Sequence, residues 1–135
     1  VVIVFNDPIN GFTLPATRSA KITWRNARVA AITASPMAEA QPFDDALALL
    51  EQLQGEFRKA GWKPAGAASW FDTTSAGRLA LGHASLPELQ QGNTLELAVP
   101  HRYAMRLGFR CWDYCSFGPN GYTRYRIEVD IGSSP

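Results

Sequence analysis

Residues 102–131, RYAMRLGFRCWDYCSFGPNGYTRYRIEVDI, decide the fold. Going in, Tyr103, Met105, Leu107, Phe109 and Cys111 take every second position; coming out, Thr123, Tyr125, Ile127, Val129 and Ile131 do the same. Successive side chains of a strand point to opposite faces, so a period of two marks a half-buried strand, here written twice. Between the arms lies Phe117-Gly118-Pro119-Asn120-Gly121. Gly and Asn accept positive φ and Pro fixes its own, so the chain reverses there. Folding about that turn sets Cys111 opposite Ile127, Phe109 opposite Val129 and Leu107 opposite Ile131. The same register puts Arg110 opposite Glu128 on the other face, so both faces agree on one long antiparallel hairpin.

Working outward, the clearest helix covers residues 43–60. Phe43, Leu47, Leu50, Leu53, Phe57 and Ala60 recur at steps of three and four. Asp44 and Asp45 stand at the positive end of the helix dipole, Arg58 and Lys59 at the negative end, and Gly61 supplies the stop. Gln52, Glu56 and Lys59 are left for water. Gly55, inside the helix, costs roughly 1 kcal/mol against Ala and hints at close packing there.

The rest reads as strands and connectors. Residues 1–5 form a buried strand ended by Asn6-Asp7-Pro8 and turned again at Asn10-Gly11. Ile22 and Trp24 share one parity and Val29 and Ala31 the other, which predicts strands over 19–33 with a bulge or tight turn near Arg25-Asn26, helix being the competing reading. Strands are also expected over 67–72, over 78–85 with Leu79, Leu81 and His83 on one face, and over 94–99. Residues 87–91 add one helical turn. Strands, one helix, then a run of antiparallel strands define α+β: a single domain, mainly antiparallel sheet, with the 43–60 helix packed on one face and the 102–131 hairpin at the end.

At 135 residues, 46% apolar and 19% charged, the chain can bury one core and is too short for two. Ten Arg and three Lys against twelve acidic residues leave a net charge of +1, so no global excess is available to hold a polyanion and nucleic acid is not an expected partner. The chain opens on Val1 without an initiator Met, and its first apolar run is far shorter than a membrane span. A signal sequence, a lipoprotein leader or another removed upstream segment is the expectation; a lipoprotein leader is the one route to a membrane.

Cys111 and Cys115 are the two cysteines. In a continuous strand their Cα atoms would lie about 13 Å apart, too far for a disulfide. Either the chain curls at Trp112-Asp113-Tyr114 and closes a small disulfide loop, or both are free buried thiols. The disulfide is preferred, and it implies an oxidising compartment, periplasmic or secreted.

Catalytic signals are thin. His83 and His101 are the histidines; the first sits on an apolar parity and the second at a strand entrance. Ser69, Ser75, Ser85 and Ser116 lack a nucleophile elbow, the carboxylates are accounted for by helix ends, turns and a sheet face, and no metal-ligand or phosphate-loop spacing occurs. No enzyme, metal or cofactor is therefore expected. The outer face of the hairpin is richer. Arg102, Arg106 and Arg110 share one side with Arg124 and Arg126, and Trp112, Tyr114, Phe117 and Tyr122 crowd towards the turn. Arg and aromatics are the composition of protein-interface hot spots. Arg106, Arg110, Trp112, Tyr114, Phe117, Tyr122, Arg124 and Arg126 are thus the expected partner-binding set.

These features predict a noncatalytic protein-binding domain, concretely a bacterial periplasmic immunity or inhibitor protein that occludes a toxin or hydrolase. One alternative is a small-ligand-binding or enzymatic domain with a pocket between helix and sheet lined by His83, Trp62 and Trp70. Another is an accessory subunit of a secretion or surface apparatus.

Overall fold

A computed structural model describes residues 2–78, 80–81, 93–115 and 122–133. Its elements are β1 (Val4–Phe5), β2 (Phe12–Thr13), β3 (Ala20–Arg25), β4 (Arg28–Ala34), α1 (Phe43–Lys59), β5 (Lys63–Pro64), β6 (Asn93–Val99), β7 (Tyr103–Asp113) and β8 (Arg124–Ser133). Strands β3-β4-β8-β7-β6-β5 make one six-stranded antiparallel sheet, while β1 and β2 pair separately. The chain is a single α+β domain, mainly β.

The hairpin exists, and its register differs from the expectation by two residues. Leu107 faces Val129, Phe109 faces Ile127 and Cys111 faces Tyr125. The ladder then slips between Cys111 and Asp113, where Trp112 is the extra residue of a bulge before Asp113 pairs with Arg124. A two-residue shift keeps every side chain on its intended face, so the core is unaffected. Arg110 now lies opposite Arg126 and reaches Glu128 diagonally, Nε to Oε1 at 3.8 Å.

Alternation builds the core as the sequence implies. Leu95, Leu97 and Val99 of β6, Met105, Leu107, Phe109 and Cys111 of β7, and Tyr125, Ile127, Val129 and Ile131 of β8 are buried beneath α1, which contributes Ala46, Leu47, Leu50, Leu53 and Phe57. Two aromatic clusters knit the layers. Phe43, Phe109 and Tyr125 meet under the start of the helix, and Phe5, Phe12, Phe57, Trp62 and Tyr103 under its end. The helix closes in a Schellman arrangement. Trp62 N–H donates to Phe57 O at 3.0 Å and Gly61 N–H to Arg58 O at 3.2 Å, with Gly61 at φ +85°.

Several expectations are corrected. Residues 67–72 form no strand; Gln54, buried in α1, holds that segment by accepting from Phe71 N–H at 2.8 Å and donating to Phe71 O at 3.1 Å. Arg78, Ala80 and Leu81 are helical instead of extended, with Leu81 N–H donating to Gly77 O at 3.0 Å. The apolar positions there fit either period, and burial of Leu81 satisfies both. His83, the expected turn at 87–91 and the hairpin turn at 117–121 lie outside the described residues. Among the described residues a Cβ built on Gly55 meets nothing within 4 Å, so no close approach there explains that glycine. In the first strand Val4 is exposed and Ile3 buried, because successive side chains alternate and one face of this segment meets water. The turn expected near Arg25-Asn26 is the Asn26-Ala27 pair, both at positive φ (53° and 61°), joining β3 to β4.

Candidate functional site: the distal end of the hairpin

The far end of β7–β8 carries the aromatic and Arg residues that the sequence singles out. Cys111 and Cys115 are joined by a disulfide, with Cα atoms 5.9 Å apart. The chain curls to allow it: Trp112 bulges out of the ladder and Tyr114 takes the left-handed conformation at φ 54°. Thr123, fully buried, donates from Oγ1 to Tyr114 O at 3.3 Å and ties the return arm to the curl. The expected disulfide is therefore present, and it is compatible with a non-cytoplasmic protein.

This curl presents large side chains to water. Trp112 is 51% exposed, Tyr114 57% and Tyr122 73%, and the two tyrosine rings lie 6.2 Å apart. Aromatic residues usually dominate burial, so three half- to three-quarter-exposed rings at this end of the hairpin form an unusual surface. Arg126 underlies it. Its guanidinium sits 4.1 Å from the centroid of the Trp112 ring, and its Nε is shielded from solvent with no hydrogen-bond partner among the described residues. Arg110 and Arg126 face each other as like charges, an arrangement that disfavours the bare pair. The Trp112 ring face offsets it at Arg126 and the Glu128 carboxylate at Arg110.

The remaining expected site residues are spread out. Arg124 donates from Nη1 to the Thr123 carbonyl at 3.1 Å, at the base of the curl. Arg106 lies six residues before Trp112 along β7, about 20 Å away at roughly 3.3 Å per residue. There it pairs with Glu96, Nε to Oε1 at 2.9 Å, and stands opposite Asp130, and these carboxylates raise its pKa. The sheet thus separates Arg106 from the distal cluster. Phe117 lies outside the described residues.

A second polar centre escaped the sequence reading. Asp7 accepts at Oδ1 from Ile9 and Asn10 N–H (2.9 and 2.8 Å), and at Oδ2 from the Tyr103 hydroxyl (2.6 Å) and an Arg102 Nη2–H (2.8 Å). The Tyr103 hydrogen bond, then the two backbone N–H groups, hold its carboxyl down at about 2. The hydrogen bond to Asp7, and after it burial, pushes the Tyr103 hydroxyl upward. Asn10 extends the network, donating to Ala60 O at 2.7 Å and accepting from Trp62 Nε1–H at 3.0 Å through its carbonyl. Arg102 is thereby committed to the fold. Trp62 is likewise a buried part of the core, and Trp70 is half-buried under the Arg58 guanidinium. The breaker Asn6-Asp7-Pro8 and the turn at Asn10-Gly11 are the sequence signals here, and they do not announce a partner 96 residues away.

Among the described residues no group of three His, Cys, Asp or Glu side chains is placed to hold a metal ion, and no helix is long and apolar enough to cross a membrane. Set beside known proteins, the chain matches no family model, no curated protein and no solved structure.

Proposed function

We propose that this is a noncatalytic protein-binding domain of an extracytoplasmic compartment, concretely a bacterial periplasmic immunity or inhibitor protein that occludes a toxin or hydrolase. The observation that carries the reading is the exposed Trp112–Tyr114–Tyr122 surface, backed by Arg110 and Arg126 and held by the Cys111–Cys115 bond. Trp, Tyr and Arg are the residues that most often dominate binding energy at protein interfaces. A curl fixed before binding loses little conformational freedom on docking, which favours the plugging of a concave partner site. The disulfide supports the compartment.

The test is affinity capture from the source's periplasm and culture fluid with the oxidised protein, run beside a Trp112→Ala/Tyr122→Ala variant. The reading predicts one stoichiometric partner of toxin or hydrolase type, whose activity the protein inhibits and whose retention falls at least tenfold with the variant. A partner retained equally by both proteins removes the distal surface from the interface. Retention without inhibition removes the inhibitor role.

A further inference from the structure

The two edges of the main sheet are unlike. One edge is β5, only two residues long and ending in Pro64, a form that resists further pairing. The other is β3, six residues without proline, all of them exposed except the half-buried Ala20. Its backbone pairs with β4 on one side, and among the described residues nothing pairs with the other. The bulge in the β3–β4 ladder places its extra residue on β4, because Thr23 faces Ala31 and Trp24 faces Val29, so β3 itself stays regular. Ile22 is 47% and Trp24 64% exposed. An edge protected only against aggregation would not display these two side chains.

Charge is concentrated along the same edge. On the outer face, a cleft of about 400 Å³ at the Ala20 end is lined by Arg18, Lys21 and Arg126, with Ser19 and Thr33 beside them. Glu128 also reaches this cleft but is engaged by Arg110. A second cleft of about 780 Å³ at the far end is lined by Thr23 and Arg25. Among the described residues no carboxylate lies within salt-bridge distance of Arg18, Lys21, Arg25 or Arg126. In a chain of net charge +1, three cations without carboxylate partners on this edge, with Arg126 two strands further in, are a local excess.

We propose that β3 binds an extended segment of a protein partner by strand addition, and that this segment alternates acidic and apolar residues. Main-chain hydrogen bonds to the open edge supply the docking, and alternate side chains supply the selectivity. Carboxylates on the outer face meet Lys21 and Arg25, with the Arg18–Arg126 cleft beside them, while apolar side chains on the other face cover Ile22 and Trp24. A second copy of this chain is a poor occupant: antiparallel self-pairing about Thr23 sets Lys21 against the partner copy's Arg25. The strand surface goes beyond the distal aromatic surface, and its test does not depend on that surface.

The probe is a blocked heptapeptide alternating glutamate and valine, titrated into the isotope-labelled protein and followed by amide chemical shifts and hydrogen exchange. Saturable shifts centred on residues 18–25, with slowed exchange of alternate β3 amides, are expected. The lysine–valine counterpart is expected to bind weaker by on the order of tenfold, and a Lys21→Glu/Arg25→Glu variant to invert that preference. Both replaced side chains are exposed, and circular dichroism verifies that the variant folds. No binding, shifts centred elsewhere, equal binding of an acidic glycine-rich peptide that cannot form a strand, or a dimer in sedimentation that Trp24→Ala dissolves would each overturn the proposal.

Discussion

Replacing Cys111 and Cys115 together by alanine isolates what holds the distal curl. The bond closes a loop of sequence separation 4, and for so short a loop the chain-entropy relation gives about 2 kcal/mol. Two smaller effects act in opposite directions. Tyr114, released from the curl, can leave the left-handed region at φ 54°, returning roughly 1 kcal/mol to the variant. Cys111 is buried, so its lost sulfur leaves a small void that costs roughly 1 kcal/mol. These nearly cancel, and a net loss of about 2 kcal/mol is expected. Urea unfolding followed by tryptophan fluorescence measures it, with an unchanged m-value showing that the folded core is intact. A loss below about 0.5 kcal/mol would mean that the bulge and the Thr123–Tyr114 bond suffice to hold the curl, and the preorganisation argument would fall.

Three further outcomes follow from other parts of the molecule. Asp7 has a carboxyl held at about 2 against an ordinary 3.8, so its contribution is present above pH 3.8 and is lost as pH falls from there towards 2; Asp7→Asn is expected to flatten acid unfolding across that window. Gln54→Leu strips Phe71 of both backbone partners in a partly buried site and is expected to cost about 2–4 kcal/mol in urea unfolding, concentrated in faster hydrogen exchange around Phe71. Glu96→Gln breaks an exposed pair with Arg106 and is expected to change stability by less than about 1 kcal/mol, a control that a large loss would contradict.

What was legible in the sequence was whatever a period could encode. The arms of β7 and β8, the stripe of α1 and the alternation of β6 each repeat at their own spacing, and each lies where that spacing places it. Register was less legible for the same reason: a shift of two residues preserves every face, so the hydrophobic pattern could not separate Phe109–Val129 from the observed Phe109–Ile127. Only the bulge at Trp112, imposed next to the disulfide curl, distinguishes them. The strands expected at 67–72 and from 78 onward fail because Phe71 is held by Gln54 and Leu81 by burial in the core, and not by a pattern of their own. In the candidate site, exposure of Trp112, Tyr114 and Tyr122 followed from their place near the turn. The Arg126–Trp112 stack did not, since it depends on the bulge. The separation of Arg106 from that cluster is simple strand length. Asp7 and the open edge of β3 were invisible, because both depend on which strands become neighbours.

The most direct test of the central claim is a hydrogen-exchange footprint of this protein in complex with its captured partner. The account predicts slowed exchange across residues 111–115 and 122–126, with the opposite end of the hairpin around Arg106 unchanged. A footprint on α1, or one around Arg106 and Glu96 that leaves residues 111–115 and 122–126 unprotected, would contradict it.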